Sequence, residues 1–204
     1  MNKSEMKSAV TYLRAGQAVA FPTDTAYALG VDATNARAVK RLFKIKRRRP
    51  DKPVHVVVAD LKMAKKYAYF TPAAEKLFKK FLPGRITLIL QSKMKGVSGR
   101  LLSAGTGTIG IRMPKNRVAL ELVKRFGRPI TATSANISTA PTAYSVSQIT
   151  RQFRRSKLQP DLILDSGKLQ EVRPSTMVQL KGNKIKILRR GPITKNKILN
   201  ALHL

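Results

Sequence analysis

The sequence predicts an α/β protein built on a twisted mixed parallel and antiparallel sheet flanked by helices. Three observations predict it. Short β-branched runs such as VHVVVA and ITLILQ alternate from end to end with segments of helical period. Good capping residues punctuate those helical segments. One pair of runs, VQL and KIKIL, is joined by a KGN turn and reads as a local hairpin, which adds an antiparallel pair to the βα pattern. With 204 residues, 43% of them hydrophobic, the chain can bury one core. No repeat, linker or low-complexity stretch divides it, so residues 1–204 are expected to form a single domain.

The elements follow in order. SEMKSAVTYLRAG is helical from a Ser4 cap to a Gly16 stop, and QAVAF is a buried strand ended by Pro22. An Asn35 cap opens NARAVKRLFKIK, whose end the proline at position 50 restricts. VHVVVA is the next strand, and Asp60 caps a short helix behind it. TPAAEKLFKKF carries Thr at the cap and Pro at the first helical position, a strong start signal. ITLILQ, TIGIRM, PITATS, LILD, STMVQL and KIKILRR are further strands, while RVALELVKRFG, SVSQITRQF and TKNKILNALHL supply the remaining helices.

Charge is the dominant global property: 41 Lys and Arg against 10 Asp and Glu leave a formal +31. Such an excess repels itself in a compact state and attracts polyanions, so a phosphate-rich partner fits; a generally basic proteome is the bland alternative. Too little glutamate is present for ion-pair networks of the thermophile kind. The absence of cysteine excludes disulfides and thiolate metal sites, and two histidines argue against a histidine-based zinc centre, so no metal ligand set is expected. MNKSEMKSAV lacks the apolar core of a signal peptide, and no apolar run approaches the roughly 20 residues of a membrane span, so a cytoplasmic protein without membrane partners is expected.

Several strands end in hydroxyls or in an arginine. PTDT follows the first strand, GTGTIGIR ends in Arg112, ITATSAN ends in Ser134 and Asn136, and PSTMV begins with Ser175 and Thr176. Each alone is ordinary turn chemistry. Together they predict a polar cavity at one edge of the sheet, where loops converge and ligands collect. The run KIKRRRPDKP would fix Lys46 and Arg48 on a constrained turn suited to phosphates, or else form a solvated charge run. Neither glycine-rich nucleotide loop is present.

The order PTDT-x-Y, Lys46-Arg47-Arg48, DKPV, PGRITLIL, TIGIRMP, ATSAN, DSG, PSTMV and ILRRG resembles the threonylcarbamoyl-AMP synthase family, the Sua5/YrdC/YciO proteins, over residues 8 to 193. The resemblance is to the short, single-domain, YrdC-like form. It implies a nucleotidyltransferase that condenses L-threonine, bicarbonate and ATP to threonylcarbamoyl-AMP and pyrophosphate, the first step toward t6A at position 37 of tRNA. ATP is then a substrate, and Mg²⁺ would be held mainly by its phosphates. By the same resemblance Thr25, Arg112, Ala132 and Ser175 hold threonine, with an arginine fork on its carboxylate. Arg48, Lys52, Thr108, Ser134, Asn136, Thr142 and Arg189 lie on the ATP side. Lys46, Arg48 and Arg189 are the catalytic candidates: the arginines offset charge, and Lys46 serves the triphosphate or the bicarbonate step.

The implied partners are tRNA or double-stranded RNA and a tRNA threonylcarbamoyl transferase. The alternative is a non-catalytic, YciO-like protein that binds double-stranded RNA, tRNA or the ribosome, in line with the basic patches KIKRRR and RQFRRSK. Departures from the family pattern include Ala28 for a usual glycine, Arg49 and Arg85 for usual prolines, and Thr139 for a usual glycine. Val57 stands where many relatives carry a threonine-contacting histidine. His55, two residues earlier, shares its strand face and could partly substitute.

Overall fold

Local sequence sets where each element starts and stops. The computed structural model describes residues 3–182 and 184–203. Helices are α1 (Lys3–Arg14), α2 (Ala36–Lys46), α3 (Leu61–Tyr67), α4 (Pro72–Phe81), α5 (Gly96–Ser103), α6 (Arg117–Phe126), α7 (Val146–Phe153) and α8 (Lys195–Leu202). Strands are β1 (Val19–Pro22), β2 (Tyr27–Gly30), β3 (His55–Val57), β4 (Ile86–Gln91), β5 (Thr108–Arg112), β6 (Ile130–Ser134), β7 (Leu162–Ile163), β8 (Thr176–Lys181) and β9 (Lys184–Arg189). Asn35, Asp60 and Thr71 cap α2, α3 and α4 as read from sequence, each side chain accepting from first-turn N–H groups.

Four sequence expectations are corrected. Ser4 lies inside α1 and does not cap it. Helix α2 is ended by Arg47, whose left-handed backbone (φ 49°) returns its N–H to the carbonyls of Lys44 and Phe43, so the stop precedes the proline. Two elements were missed. YALG forms β2, because the Thr23–Ala26 turn folds it back on β1 as a hairpin that includes Pro22, paired with Tyr27. Helix α5 carries two glycines and no side-chain cap, so neither composition nor punctuation announces it. The β8–β9 hairpin forms as expected, although Asn183 of its turn lies outside the described residues.

The nine strands make one sheet in the order β7-β1-β2-β6-β3-β5-β4-β8-β9. Three pairs are parallel (β1–β7, β3–β5, β4–β8) and the rest antiparallel, which gives the mixed sheet. Alternating side chains divide between its two faces. Leu29, Val56, Leu88, Ile111 and Val178 point into a large core shared with α2, α3, α4, α5, α7 and α8. The opposite face has a smaller core in which α1 and α6 cover Val19, Phe21, Ala28, Val57 and Ile130. Those two helices reach only part of the sheet. Beyond them the same face continues as Ser134, His55, Gly110, Arg112, Thr87 and Ser175.

Candidate functional site

That uncovered stretch is the floor of a cavity of about 250 Å³, lined among others by Thr25, Arg48, His55, Arg112, Ser134, Ser175 and Arg189. Each side chain arrives there by a local device. In the hairpin turn the Thr23 hydroxyl donates to the Ala26 carbonyl (2.7 Å) and accepts from the Thr25 N–H (3.2 Å). Thr23 therefore builds the turn, and the Thr25 hydroxyl faces Arg112 at 3.4 Å. Arg112 closes β5 with its guanidinium bonded to the Asp24 carboxylate at 2.8 Å, both side chains under 10% exposed. Its Nε is buried without a partner.

Arg189, at the end of β9, donates through Nε and Nη2 to the carbonyl and hydroxyl of Ser175, both at 3.0 Å. The Ser175 hydroxyl in turn meets the Thr87 hydroxyl at 2.8 Å. The left-handed turn at Arg47 separates its neighbours. Lys46 is sent inward, 1% exposed, and Arg48 outward to the cavity wall, held by the carbonyls of Lys52 (3.1 Å) and Pro53 (2.7 Å). Lys46 Nζ donates to the carbonyls of Ser134 and Asn136 and to Asn136 Oδ1, so its three protons are all engaged. Ser134 Oγ also donates to Asn136 Oδ1 at 2.5 Å. The lysine is thus the strut under the loop that presents Ser134.

Electrostatics follow from this crowding of cations. Burial pushes all three cavity guanidiniums below their ordinary range, and Arg112 depresses Arg189 further. Burial, with help from Arg48, brings Lys46 down to about 7, because its carbonyl acceptors carry no countercharge. His55 falls to about 3, from burial first and then from Arg112, Arg189 and Arg48, and is neutral at physiological pH. Its ring occupies the space a side chain at position 110 would need: a Cβ on Gly110 would lie 2.3 Å from His55 Nδ1. Thr139, in the loop after Asn136, holds φ 79°, a strained value for a β-branched residue.

Of the residues singled out from sequence, Thr25, Arg48, Arg112, Ala132, Ser134, Thr142, Ser175 and Arg189 all line the cavity. Lys46 and Asn136 lie beneath it, while Lys52 contributes its carbonyl to Arg48 and is not part of the cavity lining. Thr108 is on the shared sheet face, at the far end of β5 from Arg112, with its hydroxyl on Thr106 at 2.8 Å; it does not line the cavity. Sequence reasoning left Tyr144, Val172 and Pro174 out of the wall. Tyr144 and Val172 sit in loops without strand-end punctuation, and in PSTMV the hydroxyls stand out, not Pro174. Asp24 was quoted within PTDT but given no role. Among the described residues no group of three or more His, Cys, Asp or Glu side chains could hold a metal ion.

Fold and site together define an α/β protein with a cationic, hydroxyl-lined cavity at the open end of its sheet. Residues 11–191 match the Sua5/YciO/YrdC family, described as Telomere recombination. The chain belongs to that family. A Bacillus subtilis relative named Threonylcarbamoyl-AMP synthase is 36% identical over 97% of this chain and 56% of its own length. The structure of Pyrococcus abyssi Sua5 complexed with L-threonine superposes with TM-score 0.89 at 33% identity, over 99% of this chain and 58% of that one. Escherichia coli YciO superposes with TM-score 0.80 at 29% identity, over 94% and 91%. The chain thus spans little more than half the length of the Bacillus and Pyrococcus proteins. No helix among the described residues is long and apolar enough to cross a membrane.

Proposed function

We propose that this chain condenses L-threonine, bicarbonate and ATP into threonylcarbamoyl-AMP and pyrophosphate, as a nucleotidyltransferase serving t6A formation on tRNA. The observation that carries the reading is convergence: hydroxyls and guanidiniums from separate loops meet in one cavity, with Thr25, Arg112 and Ser175 beside Arg48, Ser134 and Arg189. A Pyrococcus relative of the same fold has been solved complexed with L-threonine. Arg112 is the receptor for the amino acid's carboxylate, since a guanidinium edge beside a threonine hydroxyl matches a carboxylate bidentately. Thr25, Ala132 and Ser175 complete that end. Arg48, Ser134, Thr142 and Arg189 face the nucleotide, with Lys52 and Thr108 as outer contacts.

The chemistry asks little proton transfer of the protein. Threonine's amine adds to bicarbonate with loss of water, the resulting carbamate oxygen attacks the α-phosphorus, and pyrophosphate leaves. Alignment and charge stabilisation are what the cavity supplies. Arg48 and Arg189 oppose the charge building on the phosphate oxygens. Lys46 and Asn136 hold the Ser134 loop in place beside the triphosphate. Among the described residues no carboxylate lines the cavity, and Mg²⁺ would come with the phosphates of ATP.

The net charge of +31 favours a second reading, an RNA-binding protein without this chemistry. Pyrophosphate release separates the two. Purified protein given threonine, bicarbonate, Mg²⁺ and ATP should release pyrophosphate, and Arg48→Ala and Ser134→Ala should each slow it by at least about a hundredfold. An inactive protein that binds tRNA with steep salt dependence would leave the second reading standing.

A further inference from the structure

The three arginines of the cavity are held in different ways. Arg48 rests on backbone carbonyls, and Arg189 on the carbonyl and hydroxyl of Ser175. Of the three, only Arg112 is hydrogen-bonded to a carboxylate among the described residues, and that carboxylate does not line the cavity. Asp24 stands behind the guanidinium, at the edge of a neighbouring groove that it shares with Arg85, Lys115 and Lys197. One of its oxygens takes Arg112 Nη2 at 2.8 Å, and the other accepts the Lys115 N–H at 3.1 Å. Both carboxylate oxygens are thereby committed. The side chain is fixed between the turn that carries it and the loop that follows β5.

We propose that Asp24 is the positioning residue for the carboxylate receptor, holding Arg112 from outside so that its remaining edge stays turned into the cavity toward Thr25. The inference rests on the reading of Arg112 as the threonine-carboxylate receptor. Its physical basis is the pairing of a buried charge. An arginine this enclosed, with Nε unpartnered and Arg189 close enough to repel it, needs one anionic contact to keep a single orientation. Had that anion lain inside the cavity, it would compete with the incoming carboxylate. Placed behind, it fixes the guanidinium and leaves the approach open. The turn residues make the placement obligatory: Thr23 closes the hairpin through Ala26, Thr25 faces inward, and Asp24 between them faces the other way.

The test is calorimetric titration of L-threonine into the full chain, wild type and Asp24→Asn, with steady-state pyrophosphate release alongside. Asparagine keeps the shape and can still accept from Lys115, so the fold is retained, and a melting curve checks it. Loss of the charged contact should raise the dissociation constant and KM for threonine about tenfold while kcat changes by less than about threefold, the scale of one charge-assisted hydrogen bond. Asp24→Glu should recover part of the loss. Asp161→Asn, which breaks the Arg41 ion pair at the far edge of the sheet, should lower the melting temperature and leave threonine binding unchanged. Wild-type protein that binds threonine while Asp24→Asn binds it equally or more tightly overturns the positioning role alone. Wild-type protein that binds no threonine overturns the receptor reading and this role with it.

Discussion

One face of the sheet holds two regions made by the same strands. Under α1 and α6 it is aliphatic, with Ile130 at 1% exposure; along β6, Ala132 stands at the boundary and Ser134 opens into the cavity. Strand β3 makes the same change in the opposite sense, from His55 in the cavity wall to Val57 in the core. The backbone alternation is identical in both regions, so the strands do not distinguish site from packing. Coverage by helices does. Where a helix lies on the face, large apolar side chains fill the gap; where none does, hydroxyls and guanidiniums stand in an open hollow and must be held by one another.

The two regions should fail differently when cut. The largest effect belongs to the open region: Arg48→Ala should lower kcat/KM for threonylcarbamoyl-AMP formation by about a hundred- to a thousandfold, the loss typical of one preorganised charge contact. Its melting temperature should stay near wild type, because the side chain is anchored only to its own loop. The covered region should show the reverse. Leu122→Ala on α6, fully buried against the sheet, should cost about 3 kcal/mol in denaturant unfolding yet leave KM for threonine unchanged. A variant that moved both readouts equally would break the comparison.

Acid sharpens it next. His55 takes its proton at about 3 in the fold and at the ordinary 6.5 when unfolded, so below that value the unfolded chain binds more protons. Stability should therefore decline as pH falls from about 6.5 toward about 3, and His55→Asn should flatten this limb in urea titrations read at several pH values. The smallest effect concerns the strained loop. Thr139→Gly should raise stability by about 1 kcal/mol, the relief of a left-handed β-branched residue less the added freedom of the unfolded chain. Thermal melts would register it as a higher midpoint.

Most of the architecture was legible where local chemistry decides it. Asn35, Asp60 and Thr71 cap the helices they were expected to cap, because an N-cap bond spans only two or three residues. Strand β2 was not legible, since a two-strand return depends on the hydroxyl network of Thr23 and not on the apolar run after it. The cavity was legible as a set of strand ends. What stayed hidden were relations across the sheet: His55 over Gly110, Asp24 behind Arg112, Lys46 beneath Ser134. Each joins residues at least 55 positions apart, and no period or spacing in a single chain encodes such a pairing.

The left-handed residue at Arg47 works as a one-residue sorting gate. Three consecutive cations reach it, and the backbone reversal assigns the first to the interior, where it braces a loop, and the third to the ligand hollow. A deletion or insertion of a single amino acid there would shift each cation into its neighbour's compartment. Transplanting the hollow onto another scaffold would have to carry the gate along with the cations it sorts.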